Sequence, residues 1–321
     1  MSQAHWRVLI GSRSFGRATQ EPLRRLQAAG CEVIPNTLGR AYRAEELRTA
    51  LRDADAIITG VDQLTAEVLD SADRLRVISK HGVGLDNIDL QAARARGIVV
   101  TMTPDAIHDS VADLTLALLL ALARQIVPAH NSTHSGHWAR FIGVELRDMI
   151  LGIIGLGRVG KGVAARARAF GMKVLAYDVF HDETFASQHE ITFVELDELL
   201  AHSDFISLHA ALNSGTAHLI GASELARMKP TAYLINTARG GLVDEAALVE
   251  ALRAQRLAGA ALDVFQTEPP GANSPLLQFE NVLLTPHIAG QTEMGLRRMD
   301  EMAAENILRV LRNEPPLYRV E

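Results

Sequence analysis

Short apolar runs alternate with amphipathic stretches through the first hundred positions. Residues 7–10, 32–34, 56–58, 76–79 and 98–100 read as strands, and 21–29, 45–51, 66–69 and 90–95 carry helical spacing between them, the first closed by Gly30. Continuous β-branched runs that alternate with helices mark strands buried on both faces, the pattern of a parallel sheet covered on either side. The first hundred residues therefore predict one α/β unit.

Thr101-Met102-Thr103-Pro104 interrupts that rhythm, because proline pushes its predecessor out of helical geometry. A helix is predicted next over 107–123, apolar almost all round (VADLTLALLLALA). A helix with no polar face is buried on every side, so it is expected between domains or between subunits. After Pro128 the segment HNSTHSGHWARF reads as polar and irregular. A second strand series follows at 150–154, 173–177, 205–208, 233–236, 259–262 and 282–284, with helical segments between most of them and a closing helix over 295–312. The two halves share an α/β rhythm without a sequence repeat.

Composition narrows the function classes. A chain of 321 residues with 48% apolar content has bulk for two domains, at roughly 150 residues each. Lysine and arginine number 32 against 38 acidic residues, a net charge of −6. Phosphate backbones need a clustered positive footprint, and anionic membranes a polybasic segment, so neither nucleic acid nor a membrane is an expected partner. The single cysteine, Cys31, excludes an intrachain disulfide and a cysteine-rich zinc site, and reads as a small core residue. The start, MSQAHWRVLIG, has no signal-peptide apolar core, and the apolar stretch 114–123 is too short to span a bilayer. A cytoplasmic enzyme is the expectation.

Gly155-Leu156-Gly157-Arg158-Val159-Gly160 fits the pattern G-x-G-x-x-G. The six residues follow a strand and open a helix, as a dinucleotide-binding loop requires. The first glycine permits the tight turn, the second lets the backbone approach a pyrophosphate, and the third lets helix and strand pack closely. Asp178 ends the next strand, 18 residues beyond Gly160. An acid there bonds ribose hydroxyls and repels a 2′-phosphate, which favours NAD over NADP.

Three later strands end in segments rich in chemistry. NTARGG carries Arg239, LDVFQTEPP carries Asp263 and Glu268, and TPHIAG carries His287. Ligands in open α/β sheets bind outside the carboxyl ends of the strands, where these loops lie. Arginine holds a carboxylate with its planar fork and polarises a neighbouring carbonyl. Histidine exchanges a hydroxyl proton near neutral pH, and a carboxylate beside it stabilises imidazolium. The three together suit oxidation of an alcohol next to a carboxylate. His130, His134 and His137 share one face at helical spacing, but Gly136 and the Ser/Thr filling argue against a helix there, so no metal is expected.

With HGVGLDNIDL, SVADLTLALLLALAR, GVELRDMILGIIGLGRVG, INTARGGLVDEAAL, AALDVFQTEPP and LLTPHIAG in order, the chain resembles the D-isomer-specific 2-hydroxyacid dehydrogenases, especially their phosphoglycerate-dehydrogenase-like branch. The resemblance implies two doubly wound parallel-sheet domains. One is a flavodoxin-like substrate domain made of residues 1–103 and 291–321, the other a Rossmann NAD-binding domain over 104–290. It implies Arg239, Glu268 and His287 as the catalytic set, with His287 as acid/base, Glu268 its partner and Arg239 the substrate anchor. Val83 and Gly84 would offer N–H groups to the substrate carboxylate. His81 is either a substrate contact or a structural loop histidine. Gly155, Gly157, Arg158, Val159, Gly160, Asp178, Thr237, Ala238 and Asp263 would meet the NAD cofactor, Asp263 towards the nicotinamide amide. A small 2-keto or 2-hydroxy acid is the implied substrate, and a homodimer through the 107–123 helix the implied assembly. Asp113, Ala211, Lys80 and His81 depart from the family's usual residues, and the last two argue against a phosphorylated substrate. An NAD-sensing corepressor-like protein on the same fold is the alternative reading.

Overall fold

The computed structural model describes residues 5–320, which divide into two compact units. The first comprises residues up to 107 together with those from 291, and the second comprises residues 108–290.

In the first unit, strands β1 (Trp6–Ile10), β2 (Cys31–Ile34), β3 (Ala56–Thr59), β4 (Val77–Lys80) and β5 (Val99–Thr101) form one parallel sheet in the order β2-β1-β3-β4-β5. That is the flavodoxin-like order. Alternate residues of each strand feed opposite cores. Leu9, Ile57 and Ile78 pack with Leu47, Leu51, Val68 and Ala93 on one face. Val8, Ile10, Ala56, Ile58 and Val77 pack on the other with Leu26 and with Ala303, Ala304, Ile307 and Leu308 of the C-terminal helix, Glu293–Leu311. Both faces are dry, which is why these strands read as unbroken apolar runs.

The second unit holds β6 (Ile150–Ile154), β7 (Lys173–Tyr177), β8 (Ile191–Phe193), β9 (Phe205–Leu208), β10 (Tyr233–Asn236), β11 (Gly259–Leu262) and β12 (Val282–Leu284). They form a parallel sheet in the order β12-β11-β10-β9-β6-β7-β8. This is the dinucleotide-binding order with a seventh strand added beyond the sixth, and its strand order reverses between β6 and β9. The short edge strand β8 is absent from the sequence-based assignment. Only three residues long, with its middle residue Thr192 exposed, it has too little pattern to stand out.

Two segments bear on the sequence expectations. The apolar helix, His108–Ala123, finds apolar cover within the second unit. Leu116, Leu119 and Leu122 pack with Leu151, Val163 and Ala164 in the core of the second unit itself. Its polar edge is clamped by Arg166, which donates to Asp113 at 2.7 Å and to Asp109 at 3.0 Å. The expected irregular segment begins instead with a helix, Ile126–His134. Pro128 sits in its first turn, where a missing N–H costs no intrahelical bond. The rings of His130 and His134 stack at 5.5 Å on this exposed helix, and residues 137–146 beyond it form no regular element. Among the described residues, no group of three or more His, Cys, Asp or Glu side chains is placed to hold a metal, and no single helix is long and apolar enough to cross a membrane.

Candidate active site

Every strand of the second sheet runs the same way, so the loops after β6, β7, β9, β10, β11 and β12 gather along one edge. The glycine loop leaves β6 beside the point where strand order reverses. Gly155 has φ 97°, and a Cβ there would lie 2.6 Å from the Ala210 amide nitrogen, in the loop that leaves β9. Only glycine allows both the left-handed turn and the close crossing. A Cβ on Gly160 would lie 2.1 Å from the Gly155 carbonyl oxygen. At Gly157, by contrast, a Cβ would meet nothing within 4 Å, so the backbone there faces open space. The helix Arg158–Ala169 starts immediately after it, and the N–H groups of a first helical turn have no intrahelical acceptors. Open space in front of a helix N-terminus fits a pyrophosphate.

Asp178 closes this loop. One carboxylate oxygen accepts from the Leu156 amide at 2.6 Å, and the other accepts from the Phe180 amide at 3.0 Å. Each oxygen keeps a further lone pair, so ribose hydroxyls fit the same carboxylate. The residues present therefore suit NAD. His209, which the sequence assignment overlooked, follows β9 beside the same loop. Its Nε2 is hydrogen-bonded to Ser207 Oγ at 2.9 Å, while its buried Nδ1 has no hydrogen-bond partner among the described residues. Burial pushes its pKa down to about 3, so the ring is neutral at any working pH. Its position directly after a strand is the same signal that marks Arg239 and Asp263.

The turn bearing Arg239 is braced by Asn236, whose side chain accepts from the Ala238 amide at 3.0 Å and donates to the Arg239 carbonyl at 2.8 Å. The Arg239 guanidinium donates to the Ala238 carbonyl at 2.7 Å. Thr237 is buried, its hydroxyl 2.9 Å from that of Thr115 on the long helix. Gly240 lets this turn press on the next loop, since a Cβ there would fall 1.9 Å from the Phe265 carbonyl carbon.

That next loop carries Asp263 and Glu268. Asp263 is fully buried, and within the protein its carboxylate braces the loop that follows β12. Its carboxylate accepts from Thr285 Oγ1 at 2.6 Å and from the amides of Ile288 and Ala289 at 2.9 and 2.8 Å, while its carbonyl accepts from the His287 amide at 2.9 Å. Asp263 thus grips the loop around His287, which has a left-handed φ of 53°. A non-glycine residue holds that conformation only when its surroundings compel it. His287 Nδ1 lies 2.7 Å from Glu268 Oε2, and the Phe265 amide donates to Glu268 Oε1 at 3.1 Å. Partial burial opposes ionisation of Glu268. The hydrogen bond and charge of His287, the Phe265 amide and the Arg239 charge outweigh it and hold the carboxyl below its ordinary range. Arginine, glutamate and histidine are therefore brought together at one sheet edge.

The remaining candidates lie in the first unit, after β4. Val83 is exposed, and among the described residues neither its amide nor that of Gly84 donates to another group. The His81 side chain is 1% exposed and pairs with Asp300. Lys80 is likewise buried, with Nζ donating to the Gly60 carbonyl and to Asn87 Oδ1 at 2.7 Å. Neither burial is legible from a loop read in isolation.

Residues 116–289 match the NAD binding domain of the D-isomer specific 2-hydroxyacid dehydrogenases. The chain is 45% identical over 282 residues to a glyoxylate reductase of Thermofilum pendens, covering 85% of this chain and 83% of that one. It is 44% identical to a D-3-phosphoglycerate dehydrogenase of Methanocaldococcus jannaschii over 84% of its length, but spans only 52% of that longer protein. Among solved structures, the TT0316 protein from Thermus thermophilus superimposes with a TM-score of 0.90 at 40% identity, covering 98% of this chain and all of that one. The D-lactate dehydrogenase from Aquifex aeolicus, complexed with NAD and lactic acid, superimposes with a TM-score of 0.84 at 32% identity over 96% of each chain.

Proposed function

The chain belongs to the D-isomer specific 2-hydroxyacid dehydrogenase family, and from that premise we propose that it interconverts a small 2-keto acid and its D-2-hydroxy acid with His287, Glu268 and Arg239 as its catalytic residues. It is an NAD-dependent 2-hydroxyacid dehydrogenase; its particular substrate and the role of each residue are the proposal.

The observation that carries the assignment is the 2.7 Å pair between His287 Nδ1 and Glu268. A carboxylate only accepts, so Nδ1 carries the hydrogen and Nε2 is the ring atom left for the substrate. NAD, when bound, supplies or accepts the hydride at substrate C2. In reduction, Nε2 gives its proton to the carbonyl oxygen as that oxygen gains charge, and in oxidation it takes the hydroxyl proton back. Glu268, held ionised, stabilises the imidazolium and fixes the ring's orientation. Arg239 holds the substrate carboxylate and draws charge towards the carbonyl oxygen. The amides of Val83 and Gly84, which donate to no other group among the described residues, are donors suited to a carboxylate.

Glyoxylate or an unphosphorylated analogue is the substrate this arrangement favours. Lys80, the cation at the root of the Val83–Gly84 loop, is buried and already bonded to Gly60 and Asn87, so it is not offered to a phosphate. The name borne by the Thermofilum pendens relative, glyoxylate reductase, supports the same choice. Steady-state kcat/KM with NADH across glyoxylate, hydroxypyruvate and phosphohydroxypyruvate tests it. Highest efficiency on an unphosphorylated acid is expected, and turnover of none would overturn the assignment.

Two copies associate, and the stretch that follows the long helix offers an apolar surface for the contact. Ile126, Trp138 and Ile142 are 53%, 83% and 88% exposed, a run of large apolar side chains unusual on a surface that stays in water.

A further inference from the structure

Outside the catalytic loops, one fully buried titratable pair has no part in the mechanism above. His81 Nε2 donates to Asp300 Oδ1 at 2.8 Å, with the two side chains 1% and 0% exposed. His81 Nδ1 lies 3.1 Å from Ser12 Oγ and 3.3 Å from Ser14 Oγ, and the edge of its ring packs on Phe15. Asp300 Oδ2 accepts from the Gly16 amide at 3.1 Å. One imidazole thus ties together the end of β4, the loop after β1 and the C-terminal helix.

We propose that His81 and Asp300 are a positioning pair for the substrate-binding amides of Val83 and Gly84. This rests on the reading that those amides receive the substrate carboxylate. Gly82, between the anchor and the amides, has φ 142°, a conformation that glycine enters freely and side-chain residues rarely adopt. Nothing intrinsic to position 82 therefore aims the chain that follows it. The aim comes from its neighbours. The His81 amide donates to the Thr59 carbonyl at 2.9 Å, the Gly82 amide donates to Thr103 Oγ1 at 3.0 Å, and the Thr103 amide returns a bond to the Gly82 carbonyl at 3.0 Å. The backbone up to Gly82 is bonded within the protein, and the next two amides donate to no other group among the described residues. The His81 side chain is the lever that holds this junction from below. A buried polar pair is a poor source of net stability compared with apolar residues of similar volume, whereas it does dictate one orientation.

The test replaces the pair together, His81→Leu with Asp300→Leu, so that no buried charge is left alone. Alongside it goes His81→Gln, whose side-chain N–H still reaches Asp300. Thermal unfolding, the NADH dissociation constant, and KM and kcat for glyoxylate are measured on each. In the folded double variant KM for glyoxylate is expected to rise about tenfold or more, with kcat and NADH affinity changed by no more than about threefold, and His81→Gln restores most of the loss. A folded double variant with wild-type KM overturns the proposal, as does one in which NADH affinity falls in step with KM. If the double variant does not fold, His81→Asn, too short to span to Asp300, takes its place with the same two outcomes. A wild-type protein inert towards every 2-keto acid overturns the underlying reading and this inference with it, whereas an active wild type beside an unaltered variant overturns the positioning role alone.

Discussion

His287 Nδ1 sits 2.7 Å from Glu268 Oε2, although the two residues hang from different strands of the sheet. Three features make that meeting obligatory. Asp263, at the end of β11, binds the backbone of the loop after β12 through three donors to its carboxylate. The Phe265 amide turns Glu268 back towards His287. The left-handed backbone of His287 is bonded at its amide to the Asp263 carbonyl. The pair is a product of loop architecture rather than of two long side chains finding each other in solvent.

Glu268→Gln keeps an acceptor for Nδ1–H and removes the negative charge. Keto acid reduction needs a protonated His287, and a neutral neighbour stabilises that form less. The decline of kcat/KM with rising pH should therefore begin about one pH unit lower in the variant. A profile that superimposes on the wild type would contradict the electrostatic role of Glu268.

Asp178→Ala removes both the proposed ribose partner and the acceptor that holds the Leu156 amide at 2.6 Å. Because a hydrogen bond to a charged group is lost, NADH affinity should fall about tenfold or more. NADPH should lose less, since the carboxylate that repels its phosphate is gone. Calorimetric titration with each cofactor measures the ratio, and an unchanged preference would contradict the assignment.

His209 makes a prediction about stability. Its native pKa of about 3 lies far below the 6.5 of an unburied histidine. Between those values the unfolded chain carries a proton that the native ring refuses, so the folded state weakens as pH falls below 6.5. The contribution is about 1.4 kcal/mol per pH unit. Denaturant unfolding at several pH values from 7 to 5 should give a slope shallower by about one proton in His209→Gln than in the wild type. Equal slopes would mean that the ring is charged in the native protein.

Ile142→Asp places a charge within the exposed apolar run, at its most exposed named residue. Light scattering at micromolar concentration is expected to find a dimeric wild type and a monomeric variant, with unchanged unfolding of the second unit. A monomeric wild type would contradict the proposed association.

Much of the architecture is legible in the chain because parallel strands buried on both faces cannot hide. Runs such as Ile150–Ile154 and Phe205–Leu208 have no polar residue pointing to water. The features that escape are those whose cause lies elsewhere in space. For His81 the sequence leaves a substrate contact and a structural histidine open, and its burial depends on Asp300, 219 positions away, and on Ser12, Ser14 and Phe15. Asp263 ends a strand, but that it also braces another loop through three donors to its carboxylate shows only in space. Ile126–His134 reads as irregular because Pro128 and a polar run suggest a break, while first-turn geometry tolerates both.

The central claim is that His287 carries the proton. His287→Ala, assayed with glyoxylate and NADH at neutral pH, measures it most directly, with NADH binding followed in parallel. Removal of the general acid predicts a kcat lower by roughly 10²–10⁴-fold, with the NADH dissociation constant changed by less than about twofold. A variant that binds NADH normally and keeps near-wild-type kcat would contradict the assignment.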